Sequence, residues 1–187
     1  MSVLESCAVC LALSYVLLAI WQLRVCWIAA IASAALYILI FWQVQLYLEA
    51  ILQVFYIVMA VYGWAAWRPN EAQSVAPIRT WPLPYHGAAC CAVLIVSIAL
   101  GTITDTLTDA ASPYVDAATT ISALLATWMV AQRLLENWLY WIAIDLASVG
   151  LYLSRDLALT AGLFAAYVLL AGLGYRTWRK QWCQQSA

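Results

Sequence analysis

The chain has 187 residues, of which 67% are hydrophobic and only 9% are charged, and its net charge is −1. Soluble domains carry about 25% charged residues, so this composition indicates a membrane protein. It also provides no basic surface that could follow a phosphate backbone, which excludes nucleic acid as a partner and leaves the lipid bilayer.

Seven apolar runs approach the ~20 residues that a helix needs to cross the hydrocarbon core of a bilayer. They predict an all-α membrane protein with seven transmembrane helices, at about 3–20, 25–42, 46–67, 86–104, 114–131, 134–154 and 157–175. The N-terminal run has Glu5 where a signal peptide would carry basic residues, so we do not expect a cleavable signal. Because little chain lies outside the helices, any activity must lie within the membrane.

The basic residues fall almost entirely on one side of these helices. Seven of the eight follow helices 1, 3, 5 and 7, and they are Arg24, Arg68, Arg79, Arg133, Arg176, Arg179 and Lys180. The positive-inside rule then predicts a cytoplasmic C-terminus and an external N-terminus.

Residues 46–68 and 157–179 match each other without a gap, at an offset of 111 positions. The identical pairs include Tyr56/Tyr167, Gly63/Gly174, Trp67/Trp178 and Arg68/Arg179. Such a duplication indicates two three-helix halves, unless it serves packing alone.

The predicted organisation places repeat 1 at 1–67, a cytoplasmic linker at 68–85, an inverting fourth helix at 86–104 and repeat 2 at 114–180. The single extra helix restores the direction of the chain, so the repeats are parallel in a 3+1+3 plan. Parallel repeats of this kind occur in SWEET transporters, and transporter substrates bind near the repeat interface.

Polar side chains inside the predicted spans are costly and therefore suggest a binding site. On helix 6 they recur on one helical face, which is flanked by Trp138 and comprises Asn137, Trp141, Asp145, Ser148 and Tyr152. A second stripe on helix 3 includes Glu49, Gln53 and Tyr56. Asp145 could instead be a structural carboxyl, and Gln53 and Asn137 could form interhelical hydrogen bonds.

These polar groups are not duplicated between the repeats. At the same offset, Asn137 corresponds to Cys26, Asp145 to Ala34, and Gln53 to Phe164. A pseudo-symmetric scaffold that holds an asymmetric ligand would have this pattern.

The aromatic residues divide into two groups. Trp128, Trp138 and Trp141 are candidates for stacking on a ligand, whereas tryptophans near helix ends are expected in interfacial belts. The second group comprises Trp21, Trp42, Trp67, Trp81, Trp178 and Trp182.

Nothing in the sequence predicts catalysis, a metal site or a cofactor. No Ser/His/Asp set is recognisable around the single histidine, and the chain has no phosphate-binding glycine loop. Cys7 and Cys10 have redox or metal spacing but no accompanying ligands, so the six cysteines are expected to be small buried apolar residues.

The motif Glu136-Asn137-Trp138-x-x-Trp141-Ile142-x-x-Asp145, with Gln53-Val54-Phe55-Tyr56 and Tyr62-Gly63-Trp64, resembles the Pnu family of vitamin transporters. The sequence departs from the commoner family pattern at Arg155-Asp156. The resemblance implies facilitated import of nicotinamide riboside across the bacterial inner membrane by a homotrimer, with the vitamin trapped by later phosphorylation.

The resemblance implies a substrate site, and the polar and aromatic positions that it would use are Gln53, Tyr56, Trp128, Asn137, Trp138, Trp141 and Asp145. An aromatic wall could stack on the pyridinium ring, Gln53 or Asn137 could pair with the carboxamide, and Asp145 could accept from ribose or balance the charge. Three alternatives remain open: a thiamine importer of the same fold, a proton-coupled symporter using Glu49 or Asp145, and a membrane scaffold without a ligand.

Overall fold

The computed structural model describes residues 3–43, 47–68, 77–107, 112–154 and 158–185, and within them the chain is helical. Seven helices are present in this part of the chain: α1 (Val3–Ile20), α2 (Cys26–Gln43), α3 (Tyr47–Ala66), α4 (Leu83–Leu107), α5 (Pro113–Ala131), α6 (Asn137–Leu153) and α7 (Ala158–Gln185). Four of them, α1, α2, α4 and α5, are long and apolar enough to cross a membrane.

Two helices extend beyond the apolar runs that predict them. The helix α4 begins at Leu83 and ends at Leu107, and α7 continues to Gln185 rather than ending near residue 175. The added segment of α7 contains Arg, Lys and Gln. These polar residues end the apolar run, but they are strong helix formers and so continue the helix. Of the predicted linker 68–85, residues 69–76 lie outside the described residues, as does Arg155-Asp156.

The chain divides into two compact units. The first comprises Met1–Ile78, Val130–Arg133 and Arg176–Ala187, and the second comprises Arg79–Met129 and Leu134–Tyr175. In the first unit α2 packs against both α1 and α3. The Ser33 hydroxyl donates a hydrogen bond to the Ala8 carbonyl at 2.9 Å, which ties α2 to α1.

In the second unit α4 approaches α5 closely at Gly101, where the ring of Tyr114 occupies the place of a side chain. Residues before α4 also bind the turn that precedes α6. The Leu135 amide donates to the Arg79 carbonyl at 2.8 Å, and the Trp81 amide donates to the Glu136 carboxylate at 3.2 Å. These bonds hold the first turn of α6 in place within its unit.

The expectation that the cysteines are buried is wrong for five of the six. Cys26 is buried, whereas the exposed ones are Cys7, Cys10, Cys90, Cys91 and Cys183. A thiol is apolar enough to lie on the outward face of a membrane helix, so burial against other helices is not required.

Candidate functional site

The polar stripe of α6 lies on the inward side of this helix. Asn137, Asp145 and Ser148 are buried, whereas Leu139 and Leu146 on other faces are 45% and 56% exposed. The helix therefore presents its polar groups to the protein and its aliphatic groups outward. This agrees with the spacing of 4, 4 and 3 residues from Asn137 through Trp141 and Asp145 to Ser148, which predicts one helical face.

Asn137 is the first residue of α6 and is fully buried. Its Nδ2 atom donates to the Leu134 carbonyl at 2.5 Å, so part of the side chain fixes the turn before the helix. Its Oδ1 atom is also buried and has no hydrogen-bond partner among the described residues. A buried amide oxygen of this kind is available to a donor group on a ligand.

Trp138 packs against α7 at a point where only glycine fits. A Cβ added to Gly174 would lie 2.6 Å from three carbons of the indole ring, below any real contact. The indole is 3% exposed. The glycine that the two repeats share at this position therefore serves to seat the tryptophan.

Asp145 lies two turns further along α6 and is 4% exposed. Within the described residues, no basic side chain forms an ion pair with it, and α6 itself contains no Lys or Arg. Charged groups in a membrane interior are costly unless they pair, which makes Asp145 a strong candidate for contact with a cation or with hydroxyl donors.

The other two candidate tryptophans of this unit occupy different surroundings. Trp141 is half-buried and packs, with Tyr140, against a core cluster of Ala123, Ala126 and Ile144. Trp128 packs against Trp81, with ring centroids 5.7 Å apart and an interplanar angle of 49°. Trp128 thus belongs to an aromatic group near the start of α4 rather than to the contacts of the α6 stripe.

That aromatic group also includes His86, the single histidine of the chain. His86 Nδ1 and the Tyr140 hydroxyl are 3.1 Å apart, and the His86 ring lies 5.6 Å from that of Trp81. His86 and Tyr140 line one end of a cavity of about 710 Å³ between α4, α5 and α6. None of the predicted site residues lines this cavity, which is on the apolar side of α6.

In the first unit, Gln53 and Tyr56 are half-buried on α3, while Val54 and Val58 on another face are 50% and 59% exposed. The side chain of Glu49 lies outside the described residues. Gly63, one turn before the end of α3, is overlain by Trp27, whose ring would be 2.3 Å from an added Cβ. Trp27 and Gly63 are thus placed as Trp138 and Gly174 are in the second unit.

A largely buried cluster near the ends of α1, α3 and α5 was not predicted from the sequence. We call it the Trp–Arg cluster, and it comprises Gln22, Trp27, Trp67, Arg133 and Trp178. Trp67 and Trp178 are 2% and 0% exposed, so their assignment to interfacial belts is wrong. Each indole N–H donates to a backbone carbonyl at a helix end, which allows a tryptophan to leave the interface. The signal available in the sequence was that both are repeated at the same offset.

The cation of this cluster is Arg133, which is 6% exposed. Its guanidinium lies 4.5 Å from the Trp67 ring centroid, and its Nη1 atom donates to the Gln22 side-chain oxygen at 3.1 Å. Burial lowers the pKa of Arg133 to about 10, although the nearby Cys26 thiol acts in the opposite direction. The group therefore remains a cation at neutral pH.

The family model of the nicotinamide mononucleotide transporters matches residues 2–180. The nicotinamide riboside transporter PnuC of Escherichia coli (strain K12) is 27% identical over 173 residues, covering 78% of this chain and 72% of that protein. The riboflavin/roseoflavin transporter RibM of Streptomyces davaonensis is 23% identical over 124 residues, covering 64% of this chain and 58% of that protein.

The fold is also that of a solved protein. The crystal structure of the vitamin B3 transporter PnuC matches with a TM-score of 0.76 over 97% of this chain and 82% of the other, at 18% identity. The resemblance to the Pnu family that the α6 and α3 motifs indicate is confirmed. The chain belongs to the nicotinamide mononucleotide transporter family.

Proposed function

We propose that this protein imports nicotinamide riboside across the bacterial inner membrane by facilitated diffusion, and that phosphorylation in the cytoplasm then traps the vitamin. Its substrate would contact Gln53 and Tyr56 on α3, Trp128 on α5, and a group on α6 that comprises Asn137, Trp138, Trp141 and Asp145. The protein would work as a homotrimer with its N-terminus outside and its C-terminus in the cytoplasm. Its helices would follow the parallel 3+1+3 plan.

The burial of the α6 stripe carries this proposal. Asn137 is 0% exposed and Asp145 is 4% exposed, so both polar groups are held inside a membrane protein. The Asn137 Oδ1 atom has no partner among the described residues and could accept a hydrogen bond from the carboxamide of nicotinamide. Asp145 could balance the pyridinium charge or accept from the ribose hydroxyls.

The aromatic residues suit a cationic ring. A desolvated cation over a tryptophan face gains about 2 kcal/mol. Trp138 is rigidly seated by Gly174, so little conformational entropy would be lost when a ring stacks on it.

The absence of basic residues from α3 and α6 favours the riboside over its mononucleotide. A phosphate in such a site would leave its charge unpaired, and the cost of desolvating it would reject the phosphorylated vitamin. The E. coli relative is named as a nicotinamide riboside transporter, which agrees with this preference.

A second cargo of the same site is another ring-bearing vitamin. Thiamine is also an aromatic cation, and the similarity to a riboflavin transporter indicates that this scaffold accepts different rings. Coupling to protons through Glu49 or Asp145 is a third possibility, and uptake that is independent of a pH gradient would exclude it.

Titration of the purified protein with nicotinamide riboside, thiamine and riboflavin separates these cargoes. We expect the riboside to bind most tightly. Trp138→Ala and Gln53→Ala should each abolish riboside binding without loss of the folded oligomer, whereas Gln43→Ala at the exposed end of α2 should bind as the parent does. Unchanged riboside affinity in both site variants would refute the site assignment.

A further inference from the structure

Gln22 and Arg133 occupy equivalent places in the two repeats. Each follows the first helix of its repeat, and the two residues are 111 positions apart. Both have left-handed backbones, with φ of 54° and 55°, which few residues other than glycine adopt. The Gln22 amide donates to the Ala19 carbonyl and the Arg133 amide to the Val130 carbonyl, each at 3.0 Å.

The hydrogen bonds around them are reciprocal. Trp67 Nε1 donates to the Ala131 carbonyl at 3.1 Å, and its equivalent Trp178 donates to the Ile20 carbonyl at 3.2 Å. Because Ile20 and Ala131 are also equivalent, exchanging the repeats converts one bond into the other. This is the pattern of an isologous two-fold interface, in which residue i contacts j and j contacts i.

Two equivalent residues that touch each other must lie beside the axis that relates them. Gln22 and Arg133 are joined by a hydrogen bond of 3.1 Å, and the Trp67 and Trp178 rings are 6.2 Å apart. The local two-fold axis therefore runs through the Trp–Arg cluster. At this level the axis is filled, since both tryptophans are at most 2% exposed and Arg133 is 6% exposed.

A substrate that moves between two parallel repeats travels along the same axis. We propose that the Trp–Arg cluster is a closed gate. The Gln22–Arg133 hydrogen bond and the Trp67–Trp178 contact seal the substrate pathway at the end where the α1–α2 and α5–α6 turns lie. This assignment rests on the proposed transport function. In the proposed orientation it is the cytoplasmic gate, through which the vitamin leaves.

The bonds of the gate suit a seal that must open. A hydrogen bond between side chains links Gln22 to Arg133 across the axis, and the Arg133 guanidinium stacks on Trp67 at 4.5 Å. Gln22 is held in turn by Gln181 of α7. Opening would separate Gln22 from Arg133 while the backbone bonds of each turn persist.

Strengthening the axial bond should therefore slow transport. In Gln22→Glu a carboxylate would face the Arg133 cation, and uptake of riboside into proteoliposomes should fall about tenfold, the effect of 1.4 kcal/mol more stability in the closed state. Riboside affinity in detergent should be kept or raised. The matched control is Gln43→Glu, the same change at the exposed end of α2, which should transport at the parent rate.

A cross-link tests the gate directly. In a background whose six cysteines are replaced by alanine, the thiols of Gln22→Cys and Arg133→Cys should be joined in membranes by a short bis-methanethiosulfonate reagent, which attaches to each thiol through a disulfide bond and releases sulfinate. Uptake should stop when the link forms and return when reductant cleaves it, whereas each single variant treated alike should keep its rate.

The proposal is overturned if the linked protein transports as fast as the same protein after reductant has cleaved the link. It is also overturned if no link forms in the membrane, or if Gln22→Glu transports as fast as Gln43→Glu. Failure of the proposed cargo is a separate result. It would be seen in the unsubstituted protein as absent riboside binding, and the gate would then be measured with whichever of thiamine and riboflavin is transported.

Discussion

The indole of Trp138 occupies the space that a side chain at Gly174 would need, because an added Cβ would lie 2.6 Å from three of its ring carbons. Gly174→Ala should therefore displace Trp138 and destabilise the protein by about 1–3 kcal/mol, the usual cost of overpacking. Thermal unfolding in detergent and riboside titration should show a lower Tm and weaker binding together.

Gly172 on the same helix is the matched control, since an added Cβ there would meet nothing within 4 Å. Gly172→Ala should leave binding intact and stabilise the helix slightly, because alanine is the better helix former by up to about 1 kcal/mol. Equal effects of the two substitutions would argue against the seating of Trp138.

Trp178→Phe should destabilise the protein although it keeps an aromatic ring in the core. The substitution removes the N–H that donates to the Ala19 and Ile20 carbonyls at 3.2 Å, and loss of a buried donor costs about 1–3 kcal/mol. Trp21→Phe is the control, since Trp21 is 59% exposed. The difference in Tm between the two variants measures the contribution of the buried bond.

Asp145→Asn should weaken binding of the cationic riboside by about tenfold or more, because a charge pair near 4 Å in a partly screened site is worth several kcal/mol. Binding of the reduced riboside, whose ring is uncharged, should change much less. The ratio of the two affinities is the measurement, and Asp105→Asn at the exposed end of α4 is the control. An equal loss for both ligands would assign Asp145 to the ribose or to the fold instead.

The mononucleotide should not compete with the riboside. Neither α3 nor α6 contains Lys or Arg to pair with a phosphate. In a competition assay, a hundredfold excess of the mononucleotide should leave the amount of bound riboside unchanged. A hundredfold difference in affinity corresponds to about 2.7 kcal/mol in binding free energy. Displacement at comparable concentrations would mean that basic groups elsewhere in the chain reach the site.

The helices and the buried face of α6 could be predicted from the sequence, because hydropathy and the spacing of Asn137, Asp145 and Ser148 depend only on local periodicity. The end of α7 could not, since Arg179 and Lys180 terminate a hydropathy run but continue the helix to Gln185. Whether the predicted residues of α3 and α6 contact one substrate stays a prediction.

The surroundings of individual tryptophans were not predictable from position along a helix. Trp67, Trp178 and Trp182 all lie near the ends of the predicted spans, yet the first two are buried and Trp182 is only half-buried. Trp67 and Trp178 each have a backbone carbonyl within reach of the indole N–H, and that carbonyl comes from a distant part of the chain. Trp128 likewise packs on Trp81, which precedes α4.

The unlike pair of Gln22 and Arg133 has a consequence for how such a protein can be built. A homodimer of identical three-helix chains must place the same residue on both sides of its axis, so an arginine there would face an arginine and repel it. A single chain that contains both halves escapes this restriction and can set a donor against an acceptor. In the proposed gate, the covalent fusion of the two halves thus permits a complementary pair at a position where a symmetric homodimer would require identical residues.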